Sequence, residues 1–169
     1  VVADDSTISN STILDGFTIT EGMAFDPIAQ GSGDYHLQSG AGIRIIGCSP
    51  TIRNCTFKDN HGKEYGGGMA ILDIGSAASP KVIDCSFIDN VVDYGIDECQ
   101  RGDGGALWSY GASPIIKDCR FEGNSARFYG NAAYVVGGTV EFENCVFANN
   151  KYKPLWGAWY GGGIYTGGS

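Results

Sequence analysis

The chain has 169 residues, with 19 acidic and 11 basic side chains and a formal net charge of −8. That length fits a single domain spanning residues 1–169, and 43 % hydrophobic residues suffice for a core, which excludes global disorder. The acidity argues against nucleic acid as a partner, and without a run of about 18 apolar residues the sequence offers no segment for membrane insertion as a helix. The 27 glycines follow no collagen period, so they point to many tight turns.

Taken in chain order, the predicted elements repeat. A degenerate first copy is Thr12-Ile-Leu-Asp-Gly-Phe-Thr-Ile-Thr-Glu-Gly22. Gly42-Ile-Arg-Ile follows, and then Pro50-Thr-Ile-Arg-Asn-Cys-Thr-Phe-Lys-Asp-Asn60. The same two blocks recur as Gly67-Gly-Met-Ala-Ile71 with Pro80–Asn90, as Gly104-Gly-Ala-Leu-Trp108 with Pro114–Asn124, and as Asn131-Ala-Ala-Tyr-Val135 with Val140–Asn150. A last glycine block is Gly161-Gly-Gly-Ile-Tyr165. The connection after Met69 is longer than its counterparts, which predicts a small insertion.

Each period holds two or three strands of about 3–5 residues separated by Gly, Asn, Asp, Ser and Pro, with no sustained helical period. Cys points in, the next residue out and Phe in, but the apolar residue three before the Cys breaks the alternation. A bend at Asn54, Asp84, Asp118 and Asn144 restores it, since Asn and Asp tolerate left-handed backbone. Short strands whose residues return to the same column describe a solenoid of parallel strands, about five coils stacked at roughly 4.8 Å. Phe57, Phe87, Phe121 and Phe147 then form a ring stack, and Asn60, Asn90, Asn124 and Asn150 an amide ladder.

The six cysteines do not read as a disulfide framework. Cys55, Cys85, Cys119 and Cys145 share one inward column with Phe17, so the position is used as an apolar site and the thiols are expected buried and reduced. Cys48 reads as a small corner residue. Cys99, alone in a polar loop, is the best disulfide candidate, with Cys48 as its partner.

These paired motifs carry a resemblance. Phe57-Lys-Asp-Asn60, Phe87-Ile-Asp-Asn90, Phe121-Glu-Gly-Asn124 and Phe147-Ala-Asn-Asn150, alternating with the glycine blocks, resemble the repeats of bacterial polymorphic outer-membrane proteins. More broadly the pattern resembles the right-handed parallel β-helix, or pectin-lyase-like, superfamily. The resemblance implies an all-β right-handed solenoid in a secreted, extracellular or cell-surface protein. It leaves function open, because that superfamily includes lyases, hydrolases, adhesins and structural rods.

Candidate sites lie outside the repeat columns. Connections between the Asn column and the glycine block vary in length, and in a solenoid such insertions emerge along one edge. They are rich in aromatics, among them Tyr35, Tyr65, Tyr94, Tyr129, Tyr152, Trp156, Trp159 and Tyr160. These either form a contact surface for sugar rings or another protein, or fold back onto the rod. The outward column Arg44, Ala70, Trp108, Tyr134 and Tyr165 is expected to make a flat, partly aromatic strip. Asp84 and Asp118 on adjacent coils are catalytic candidates, their carboxylates expected at about the separation of a retaining glycosidase pair. The same column holds Asn54 and Asn144, so bend formation explains them well and is the favoured reading. Asp93, Asp97, Glu98 and Asp103 are candidate Ca²⁺ ligands without a recognisable calcium-loop spacing. The superfamily's lyases pair Asp-bound Ca²⁺ with a basic residue, and Arg101 beside Asp103 is the one such pairing in a long loop.

Two functions follow as expectations. The first is a non-enzymatic structural or adhesive solenoid, a stalk or filament subunit that either belongs to a longer rod or self-associates through open ends. The second is a carbohydrate-active β-helix acting on or binding polysaccharide.

Overall fold

The computed structural model describes residues 1–5, 7–24, 39–93, 102–151 and 162–167. The first coil carries β1 (Val2–Ala3), β2 (Ile13–Asp15), β3 (Thr18–Thr20) and β4 (Met23–Ala24). The second carries β5 (Ile43–Ile46), β6 (Thr51–Arg53), β7 (Thr56–Lys58) and β8 (His61–Gly62). The third carries β9 (Met69–Leu72), β10 (Lys81–Ile83), β11 (Ser86–Ile88) and β12 (Val91–Val92). The fourth carries β13 (Leu107–Tyr110), β14 (Ile115–Lys117), β15 (Arg120–Glu122) and β16 (Ser125–Ala126). The fifth has β17 (Ala133–Val136), β18 (Glu141–Glu143) and β19 (Val146–Ala148), and β20 (Ile164–Gly167) opens a sixth.

Each strand pairs only with its equivalents on neighbouring coils, always in parallel. The first sheet runs β1-β5-β9-β13-β17-β20, the second β2-β6-β10-β14-β18, the third β3-β7-β11-β15-β19 and the fourth β4-β8-β12-β16. The fourth sheet is one more than the sequence predicts. Its strands are two residues long, too short to show a period of two.

The bends close the coil. Asn54, Asp84, Asp118 and Asn144 have φ between 51° and 53°, and Gly16 takes the same corner of the first coil at 77°. A second left-handed corner before the amide ladder is occupied by Glu21, Asp59, Asp89, Gly123 and Asn149. Two such residues per coil turn three short strands inward without interrupting their ladders. The insertion after Met69 is an Asx turn. Asp73 Oδ1 accepts hydrogen bonds from the backbone N–H groups of Gly75 and Ser76 at 3.1 and 2.8 Å.

Inside, the predicted columns are in register. Ile52, Val82 and Ile116 pair across the second sheet, and Phe57, Phe87, Phe121 and Phe147 across the third. The phenyl rings stack at 4.9, 4.7 and 4.8 Å with interplanar angles of 10°, 1° and 7°. That spacing is set by the backbone ladder and coincides with good ring contact, so packing and pairing reinforce each other. The end coils are less covered: Phe17, read as inward, is 56 % exposed on the first coil, and the inward Cys145 and Phe147 are only half-buried on the fifth.

The amide ladder is continuous and directional. Each Asn Oδ1 accepts the backbone N–H of the preceding coil's Asn, at 3.2 Å for Asn60 to Asn90, 3.0 Å for Asn90 to Asn124 and 3.0 Å for Asn124 to Asn150. The Nδ2 groups donate along the same line at 2.9 to 3.0 Å. They also reach back to the carbonyls of Ile19, Phe57, Phe87 and Phe121. Asn60, Asn90 and Asn124 are buried, and this pairing satisfies amides that would otherwise oppose folding.

Cys48, Cys55, Cys85 and Cys119 are buried free thiols, and Cys145 on the fifth coil is a half-buried one. The column thiols lie 3.1 to 3.3 Å from the carbonyl oxygen two residues back. Contact with the Cys85 side chain, reinforced by burial, pushes the Cys119 thiol far above its ordinary range, and burial raises Cys145 and Cys48. Neutral thiols are poor nucleophiles and poor disulfide formers. Cys99 lies outside the described residues.

Two predictions follow from the core. Phe87→Ala removes a fully buried ring with neighbours on both sides and is expected to cost about 3–5 kcal/mol, measured by chemical denaturation. Alkylation of the native protein at pH 7 is expected to spare Cys55, Cys85 and Cys119 and to modify Cys145 before any of them. Peptide mapping after denaturation should then find the spared three reduced.

Candidate functional site

The connections from the fourth sheet to the first differ in length, yet each ends in the same way. Ser39, Tyr65 and Asp103 pair as parallel bridges, and Tyr129 follows in the next coil, where its carbonyl accepts the Gly104 N–H. Each is followed by a glycine at positive φ: Gly40 at 67°, Gly66 at 58°, Gly104 at 68° and Gly130 at 61°. A Cβ on Gly66 would sit 2.2 Å from the Met69 carbonyl oxygen, so only glycine permits this tight return onto the first sheet. The turn lays the preceding side chain against the outer face of that sheet.

That face carries the predicted outward column in register: Arg44, Ala70, Trp108, Tyr134 and Tyr165. It is not the open strip that the sequence suggests. Ala70 and Leu72 are fully buried and Trp108 is 4 % exposed, forming a second apolar cluster with Ile46, Tyr65 and Tyr134. Tyr65 covers Trp108, its ring stacked at 4.4 Å and 18°. Of the two readings of the connection aromatics, folding back is what Tyr65 does. The buried Trp108 indole N–H has no hydrogen-bond partner among the described residues.

Toward the fifth coil the face opens. Tyr129 lies 4.6 Å from Tyr165 and 5.7 Å from Tyr134, and Tyr134 and Tyr165 are 5.3 Å apart, all three half-buried. Tyr110 stands beside Trp108 at 5.8 Å and is 50 % exposed. Asp103 is buried at the edge of this cluster, and its Oδ1 accepts the Tyr129 N–H at 3.1 Å. Burial first, then the charge of Asp103 and the neighbouring Tyr165 and Tyr129, push the Tyr134 phenol up to about 12. Lys63 and Glu64, also buried, occupy the connection one coil earlier.

The structure thus brings together Trp108, Tyr129, Tyr134 and Asp103 of the predicted residues. Tyr65 and Tyr165 belong with them. The signal for Tyr65 is the residue-glycine pair shared by Ser39-Gly40, Tyr65-Gly66, Asp103-Gly104 and Tyr129-Gly130. Such an array offers stacking faces bordered by phenol hydroxyls, chemistry suited to a flat or ring-shaped partner.

Other candidates lie elsewhere. Asp84 and Asp118 are exposed at the left-handed corner they share with Asn54 and Asn144, and Asp118 Oδ1 accepts a hydrogen bond from Asn144 Nδ2 at 3.2 Å. The corner accounts for both residues. Asp93 is separate from the aromatic face, its carbonyl 3.3 Å from His61 Nε2. Among the described residues no group of three or more His, Cys, Asp or Glu could hold a metal ion. Asp97, Glu98, Arg101, Tyr35, Tyr94, Tyr152, Trp156, Trp159 and Tyr160 lie outside the described residues.

The raised Tyr134 phenol gives a pH prediction. The fold binds the phenol proton more tightly than the unfolded chain does, so this contribution to stability is complete below about pH 10. It is lost as pH rises toward 12. Alkaline difference absorbance is expected to show a late tyrosinate step that is absent in Tyr134→Phe and moves to lower pH in Asp103→Asn.

Comparison with protein families matched the whole chain, residues 1–169, to the right-handed β-helix region. Searches of the curated proteins and of the solved structures returned no match. Parallel sheets stacked in register, left-handed corners at fixed positions and a family match over the full length agree, and the chain belongs to the right-handed β-helix family.

Proposed function

We propose that the chain is a rod segment of a secreted or cell-surface protein with a structural and adhesive role and no catalytic one. The observation that carries this reading is the division of the coil. Its Phe, Cys and Asn columns repeat from coil to coil, whereas the outer face of the first sheet varies from Arg44 and Ala70 to Trp108, Tyr134 and Tyr165. A rod supplies length and stiffness, and the tyrosine cluster supplies a contact surface. A second reading, a carbohydrate-active β-helix, draws on the same cluster, because stacked tyrosines beside a buried carboxylate also suit a sugar ring.

The experiment is a polysaccharide and cell-surface binding panel run with a reducing-sugar release assay. Binding without turnover is expected, weakened about tenfold or more in Tyr129→Ala and Tyr165→Ala variants whose circular dichroism is unchanged. Release of new sugar ends would establish the second reading. Binding unaffected by either substitution would remove the cluster from the adhesive role.

A further inference from the structure

The tyrosine cluster holds two rings in an arrangement that oxidation can make permanent. Tyr129 stands just before the Gly130 return, and its backbone is fixed on both sides. Its carbonyl accepts the Gly104 N–H at 2.9 Å, and its N–H donates to Asp103 Oδ1 at 3.1 Å. Tyr165 is carried by β20, which pairs with β17 so that Tyr165 lies opposite Tyr134. The Tyr129 and Tyr165 ring centroids are 4.6 Å apart, with the planes tilted at 44°. Tyr134 and Tyr165 are farther apart, at 5.3 Å, and closer to parallel, at 28°. All three rings are half-buried, so solvent reaches each of them. Gly167 leaves room at the edge of Tyr165. A Cβ there would sit 3.6 Å from Tyr165 Cε1, the ring carbon next to the one that bears the hydroxyl.

We infer that Tyr129 and Tyr165 are a site of oxidative coupling, joined carbon to carbon as dityrosine when a haem peroxidase and hydrogen peroxide reach the chain. Each phenol gives up one hydrogen atom, as an electron and a proton, to the oxidised peroxidase. The unpaired electron of each phenoxyl radical is shared with the carbons next to the one that bears the oxygen. The radicals combine there, a Cε carbon of Tyr129 bonding to a Cε carbon of Tyr165. Each of those carbons then releases its proton and each oxygen takes one up, which restores two phenols. In sum two hydrogens leave the chain, and one hydrogen peroxide becomes two waters.

Geometry selects this pair over Tyr134 and Tyr165. A bond between ring carbons turns two rings out of a face-to-face stack, and the tilted pair is already part of the way there. The fixed backbones hold the two radicals together, so coupling within the chain outruns an encounter between chains. The bond spans 165 − 129 = 36 residues and ties β20 to the connection that precedes the fifth coil. A covalent tie of that length restricts the unfolded chain and keeps β20 on its sheet. The inference shares residues with the proposed contact face but not its premise. Coupling is read by covalent mass and binding by the ligand panel, so either can fail alone.

The test treats the full chain in dilute solution with a haem peroxidase and an equimolar amount of hydrogen peroxide. Monomeric chain is expected to gain the blue fluorescence of dityrosine. Peptide mapping is expected to find a linked pair containing residues 129 and 165, two hydrogens lighter than the sum of its parts. The yield per chain is expected to hold over a dilution of about tenfold, as it does for partners held together. Tyr129→Phe and Tyr165→Phe keep the rings, and circular dichroism checks the fold. Each is expected to lower the yield of linked monomer at least about tenfold, and Tyr134→Phe to leave it within about twofold. A monomer that gains no dityrosine, links that form only between chains and fall on dilution, links that map to other tyrosines, or a yield that survives Tyr165→Phe would each overturn the inference. So would a yield that depends on Tyr134 rather than on Tyr129.

Discussion

Parallel backbone pairing in fixed register is the constraint on which everything else depends. Because each strand bonds only to its equivalents one coil away, a residue is held at one strand spacing from the same residue of the next coil. Any side chain admitted to the interior therefore stacks on the residue at the same position of the next coil. Phenyl rings do so at 4.7 to 4.9 Å, and primary amides do so by exchanging donors and acceptors. A charged group there would be buried away from water without a counter-charge, which accounts for interior columns of apolar side chains with Asn as the repeated polar residue. Among the described residues Lys, Asp and Glu are confined to corners and outer faces, except in the connections that fold over the first sheet, where Lys63, Glu64 and Asp103 are buried.

This constraint explains which parts of the fold were legible in the sequence. A column repeated on four coils is visible as a motif, so Phe57 to Phe147, Asn60 to Asn150 and the corner residues Asn54 to Asn144 fell into place from spacing alone. The corner was predictable because a break in alternation has few physical remedies, and an Asn or Asp at positive φ is the cheapest. The fourth sheet was not legible: two residues such as Val91 and Val92 leave no periodic trace. Nor was the burial of Trp108. Its place in the outward column was readable, but its cover comes from Tyr65 in a connection of unrepeated length, and no column records that contact.

The cysteine column shows how much the position matters relative to the residue. A thiol at Cys85 or Cys119 is small and apolar and lies near two carbonyl oxygens, so it packs where a bulkier residue would not. Side chains on neighbouring coils point the same way, an arrangement at odds with the torsion a disulfide needs. Burial and thiol-thiol contact hold Cys119 in its protonated form. The same residue type on the fifth coil, Cys145, is only half-buried. Its chemistry thus depends on which coil it occupies, since among the described residues β19 pairs with β15 alone.

The coil also separates two kinds of sequence freedom. An interior substitution is transmitted to both neighbouring coils, because each ring or amide is a partner above and below. An outward residue of the first sheet answers instead to the connection that crosses it. Ala70 and Trp108 occupy the same column on adjacent coils, and the strands beneath them pair identically. Tyr134 and Tyr165 continue that column without altering the ladder. The outer face can therefore change its chemistry coil by coil while the interior stays fixed, and the tyrosines near the fifth coil are the place where this chain has used that freedom. The tight glycine return that Gly40, Gly66, Gly104 and Gly130 share sets Asp103 and Tyr129 against the sheet beside them. The aromatic face is thus built by backbone geometry first and by side-chain identity second.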